Sequence, residues 1–106
     1  MNEEIINAIV NKLSELKAED IKVAKLSNNI FSTAILATGN SSRHVLSLTD
    51  NICDFLKQKY KIYTKSEGNN SCEWVIIDAN NLIINIFQKH SREKYNLEEI
   101  WKLSSN

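Results

Sequence analysis

The sequence predicts an α/β (α+β) fold, a mixed five-stranded sheet with flanking helices. Three observations predict it. Apolar residues recur at helical spacing in two long stretches, and they alternate with a period of two in the shorter stretches between. Polar turns fall where a strand meets a helix, at Gly39 to Ser41, and where a strand returns on a strand, at Asn80-Asn81. The resulting order is helix, two strands, helix, three strands, helix, expected as a single domain over residues 1–106.

Residues Glu3 to Lys17 carry Ile5, Ile6, Ile9, Val10, Leu13 and Leu16 on one stripe, an amphipathic helix that packs on the sheet. Ile21 to Leu26 alternates as a half-buried strand, and Ser27-Asn28-Asn29 is a turn. Ile30 to Thr38 is the second strand, apolar enough from Ala34 to Ala37 to be covered on both faces. Gly39 is one of two glycines, so it marks a backbone that needs positive φ or close packing. Asn40 and Ser41 behind it are N-cap candidates. The next helix places Val45, Leu48, Ile52, Phe55 and Leu56 in its stripe and ends in the basic Lys57 to Lys61 run, where cations suit the helix dipole.

Tyr60 to Thr64 then reads as a short edge strand and Ser66 to Ser71 as a loop. Trp74 to Ala79 and Leu82 to Phe87 form a hairpin, because Asn tolerates the left-handed backbone that a two-residue turn requires. His90 falls in a polar loop. Asn96 and Glu99 have capping-box spacing, so a short final helix carries Leu97, Ile100 and Trp101.

Composition narrows the function classes. A chain of 106 residues buries about two-thirds of its unfolded surface, enough for one sheet with helices on it. Thirteen basic residues balance thirteen acidic ones, whereas a protein held by nucleic-acid phosphates carries a basic excess. No direct DNA binding is expected. The Met-Asn-Glu-Glu start lacks the basic region of a signal peptide, and apolar runs such as Trp74 to Ile77 and Leu82 to Ile84 fall far short of the ~20 residues that span a bilayer. We therefore expect a cytoplasmic protein without membrane contact. Cys53 and Cys72 are isolated and lack CxxC spacing, which fits reduced thiols and no metal site.

Strand, glycine, serine, helix is also how the nucleotidyltransferase fold opens, with a glycine-serine turn that holds phosphate and two acids that hold magnesium. Those acids sit two apart on a strand so that both face one side. Here no two Asp or Glu residues are separated by a single residue, so the topology is nucleotidyltransferase-like without the catalytic acids. His44 and His90 lie in no nucleophile motif and read as partly exposed surface histidines. No enzyme, catalytic residue, metal or cofactor is expected. Among the aromatics, Phe87 reads as core, while Trp74, Tyr95 and Trp101 beside arginine are the material of interface hot spots.

Taken together these motifs resemble the ribosomal silencing factor family, also called RsfS or Iojap. The residues that carry the likeness are Lys17-Ala18-Glu19-Asp20-Ile21, Ile35-Leu36-Ala37-Thr38-Gly39-Asn40-Ser41, Arg43-His44-Val45, Glu67-Gly68, Trp74-Val75-Ile76-Ile77-Asp78, Ile86-Phe87, Arg92, Tyr95, Leu97-Glu98 and Trp101, spanning about residues 5–103. The resemblance implies a non-enzymatic protein that binds the large ribosomal subunit through its ribosomal protein number 14. It also implies that the bound protein blocks joining of the small subunit and represses translation. A role in large-subunit assembly and, less directly, a nucleotide-binding enzyme built on Gly39, Asn40 and Ser41 stand as alternatives.

Carried over position by position, the partner surface uses Arg43, His44, Trp74, Asp78, Arg92, Tyr95, Glu98 and Trp101. The chain departs from the family pattern at Ser32-Thr33-Ala34, where relatives have Asp-Tyr-Phe, and at Ser42, where they have Asp. It also has Asn80-Asn81 in place of a glycine-containing hairpin and Asn85 in place of a histidine. Relatives are often dimeric, and a homodimer paired along an exposed Tyr60 to Thr64 edge is a further expectation.

Overall fold

A computed structural model describes residues 3–26 and 31–95, with side chains through 93. The elements are α1 (Glu3–Glu15), β1 (Glu19–Lys25), β2 (Thr33–Gly39), α2 (Ser42–Tyr60), β3 (Lys65–Glu67), β4 (Trp74–Ala79), β5 (Leu82–Gln88) and α3 (Lys89–Tyr95). Five strands form one sheet in the order β1-β2-β5-β4-β3. Only the β2–β5 pair is parallel, so the sheet is mixed, as the sequence predicts.

Two-residue alternation divides the sheet into two faces. Ile35 and Ala37 of β2, Val75, Ile77 and Ala79 of β4, and Leu82, Ile84 and Ile86 of β5 meet the stripes of both long helices in the main core. From α1 that stripe supplies Ile6, Ile9 and Leu13, and from α2 Val45, Leu48, Ile52 and Leu56. On the other face lie Leu36, Trp74, Ile76, Asp78, Asn85 and Phe87 by the same alternation. All seven residues of β2 are buried, which explains its apolar Ala34 to Ala37 stretch between two neighbouring strands.

Gly39 has close packing as its reason. A Cβ there would lie 2.8 Å from Val45 Cγ2 and 3.1 Å from the Val45 backbone nitrogen. Val45 is β-branched and sits in the first turn of α2, so it cannot swing away freely. Gly39→Ala is expected to lower the unfolding free energy by about 1–2 kcal/mol, read as a lower urea midpoint at unchanged slope. An unchanged midpoint would show that the start of α2 can retreat.

Other boundaries differ from expectation for physical reasons. The edge strand is β3, Lys65–Glu67, rather than Tyr60 to Thr64. Helix α2 continues through Tyr60 and closes at Lys61 in the left-handed conformation, with the Lys61 N–H on Lys57 O and the Ile62 N–H on Leu56 O. Buried Ile62 then plugs the core, so the apparent alternation belongs to a helix end and an anchor. Self-pairing along this edge is limited to three exposed residues. Ser66 and Glu67 consequently leave the expected loop for the strand.

Strand β1 begins at Glu19, with a register shift before Lys22 and Asp20 at φ 53°, and β2 begins at Thr33. The hairpin turn matches its reading, since Asn80 takes φ 59° between paired Ala79 and Leu82. His90 lies in α3 instead of a loop. The turn at residues 27–29 and the final helix with its Asn96 and Glu99 cap fall outside the described residues.

Candidate functional site

Helix α2 starts from a turn in which the chain itself occupies three backbone donors. Ser41 is the N-cap, in extended conformation, and its Oγ accepts the His44 N–H at 3.1 Å. The Asn40 N–H donates to His44 Nδ1 at 3.0 Å, and the Val45 N–H to Ser41 O at 2.9 Å. With Nδ1 accepting, the ring proton sits on Nε2 and donates to Leu16 O at 2.8 Å. The imidazole, expected as a surface group, is half-buried and ties the start of α2 to the end of α1. Arg43 beside it is exposed. The Asn40, His44 and Val45 amides are thus engaged by protein atoms.

Arg92, expected at the partner surface, lies mostly inside the fold. It is 8% exposed, and its Nη1 donates to Asp20 O at 2.6 Å and to Thr38 Oγ1 at 2.8 Å. A guanidinium held this way braces the fold. His44 and Arg92 both grip the α1–β1 corner, where Lys17 at φ 70° and Asp20 at φ 53° turn the chain through left-handed backbone. Three motif stretches far apart in sequence therefore meet at one corner. Sequence reasoning treated them as separate contact residues, because nothing in spacing tells a buried arginine from an exposed one.

Trp74 enters β4 on the face opposite the main core, half-buried. Its ring stacks on Phe87 at 5.4 Å and 20°, and its indole N–H donates to Asn85 Oδ1 at 3.0 Å. Asn85 is fully buried between Leu36 and Ile76 in the neighbouring strands, and among the described residues its Nδ2 has no acceptor. Leaving such a donor unpaired costs about 1–3 kcal/mol. Gln88 Nε2 donates to Ser42 Oγ at 2.8 Å and Cys72 O at 3.1 Å, which joins the α2 start to the loop before β4. Arg43, His44 and Trp74 are therefore brought to one end of the sheet.

Asp78 is exposed on the same face as Trp74 but four residues along β4, about 13 Å away at strand rise. Tyr95 closes α3, and Glu98 and Trp101 lie outside the described residues. Asn85 and Gln88 were missed as functional candidates. The available signal for Asn85 was a single polar residue at an apolar position of Leu82 to Phe87.

Burial pushes the Cys53 thiol up, helped by the Asp50 and Asp54 carboxylates and opposed by its bond with Thr64, so it stays protonated at neutral pH. Among the described residues no helix is long and apolar enough to cross a membrane, and no three His, Cys, Asp or Glu side chains gather as a metal site.

The family model described as ribosomal silencing factor during starvation, RsfS, matches residues 1–106. The chain belongs to the RsfS family. RsfS of Chromobacterium violaceum is 31% identical over 102 residues, covering 93% of this chain and 83% of the relative. RsfS of Haemophilus influenzae is 30% identical, covering 92% and 97%. A mouse protein named mitochondrial assembly of ribosomal large subunit protein 1 is 28% identical over 105 residues, covering 94% of this chain and 46% of its own length. A crystal structure of a Chromobacterium violaceum protein superposes with TM-score 0.88 at 31% identity, over 96% of this chain and 88% of that one. The RsfS relatives carry names of regulatory factors, and those names indicate no enzymatic activity.

Proposed function

We propose that this RsfS-family chain is a cytoplasmic ribosomal silencing factor. It binds the large ribosomal subunit through ribosomal protein number 14 and blocks joining of the small subunit, with no catalytic step and no cofactor. The observation that carries this reading is the full-length RsfS match. Neutral net charge supports docking on a ribosomal protein in preference to bare RNA. Exposed Arg43 and Asp78 and half-buried Trp74 contribute side chains to the surface, which Tyr95, Glu98 and Trp101 complete. His44 and Arg92 support it from beneath.

Co-sedimentation with isolated large subunits, followed by addition of small subunits, tests the proposal. The chain is expected to pellet with large subunits and to reduce joining. Arg43→Glu is expected to weaken binding about tenfold, mainly through slower association, at unchanged melting temperature. Failure of the native chain to pellet would sink the reading. The name of the mouse relative favours a second one, large-subunit assembly, in which the chain pellets while joining proceeds normally. Engaged amides at Asn40 and His44 speak against nucleotide binding, so nucleoside triphosphate with magnesium is expected to leave the melting temperature unchanged.

A further inference from the structure

We propose that Asn85 is a positioning residue, which fixes the indole of Trp74 in the orientation that meets the ribosomal partner. The inference rests on the docking role of Trp74 proposed above. Its structural basis is the direction of one hydrogen bond and the vacancy left by another.

An indole N–H can only donate, so the Asn85 atom that faces it must be the oxygen. That choice leaves Nδ2, buried on a strand flanked by Leu36 and Ile76, with no acceptor among the described residues. A residue chosen for packing alone would be Leu or Ile here, as at its neighbours along β5. Among the described residues, the side-chain bond this amide makes is to the indole. Phe87 stacking sets the ring plane, and Asn85 selects the rotation within that plane. The Trp74 ring is fixed by the Asn85 bond and the Phe87 stack, so little side-chain freedom remains to be lost on docking.

A merely structural polar residue and a positioning one predict different results. Asn85→Leu removes the unpaired donor along with the acceptor, so the melting temperature is expected to hold or rise. Hydrogen exchange at the Trp74 indole N–H, assigned by its disappearance in Trp74→Phe, is expected to quicken at least tenfold. Affinity for large subunits is expected to fall about tenfold, and Asn85→His, which restores a ring-nitrogen acceptor, to recover most of both effects.

The deciding measurement is a double-mutant cycle on affinity with Asn85→Leu and Trp74→Phe. If Asn85 acts through the indole, Asn85→Leu has no further effect in the Trp74→Phe chain. Additive losses, or unchanged exchange and affinity in Asn85→Leu, overturn the proposal while leaving large-subunit binding intact. Should Asn85→Leu fail to fold, Asn85→Ser enters the same cycle with the same two outcomes. Absence of binding by the native chain overturns this proposal together with the docking reading.

Discussion

Arg92→Ala is expected to lower the unfolding free energy by about 3 kcal/mol, since each hydrogen bond to a charged group contributes about 1.5–3 kcal/mol. For a domain of this size that is a fall of roughly 10–20 °C in melting temperature. The substitution strips Asp20 O and Thr38 Oγ1 of a shared donor at a corner already in left-handed backbone. Arg92→Lys is expected to recover less than half of the loss, because a single ammonium cannot reproduce the geometry of a planar guanidinium. Thermal unfolding followed by circular dichroism checks both variants. A contact residue at the surface would instead leave melting unchanged and weaken ribosome binding. That outcome would return Arg92 to the partner surface.

Trp74→Ala is expected to lower large-subunit affinity at least 30-fold, equivalent to about 2 kcal/mol or more. Removing the indole from its stack on Phe87 is expected to reduce stability by only about 1 kcal/mol. The side chain is only partly buried, so folding gains less from it than from a core tryptophan. Equilibrium binding to large subunits beside a urea titration separates the two losses. Comparable losses in both would assign Trp74 to the fold.

The sheet and its order were legible because burial leaves periodic marks. Ile35 and Ala37 against Leu36, or Val75 and Ile77 against Trp74 and Ile76, reveal which side of a strand faces helices. The boundary between α2 and β3 was not legible, since Tyr60, Ile62 and Thr64 alternate for a local reason, a left-handed cap followed by one anchored side chain. The candidate site was legible as a set of residues and obscure as a geometry. Arg43 and Trp74 do come to one end of the sheet, but His44 and Arg92 are turned inward by acceptors at Leu16 and Asp20, contacts that depend on the fold being complete. Asn85 became readable only once its hydrogen-bond partner was known.

The parallel pairing of β2 with β5 also constrains when the molecule can form. During synthesis β2 leaves the exit tunnel with one neighbour, β1, available, while its other flank must wait for residues 82–88. Throughout that interval a strand that ends up fully buried lacks one of its two neighbours. A chain truncated anywhere before Leu82 therefore presents this strand as a sticky edge, and proteolysis or aggregation is its expected fate. The hairpin is the closing step, and the native sheet is complete only once residues 82–88 have been made.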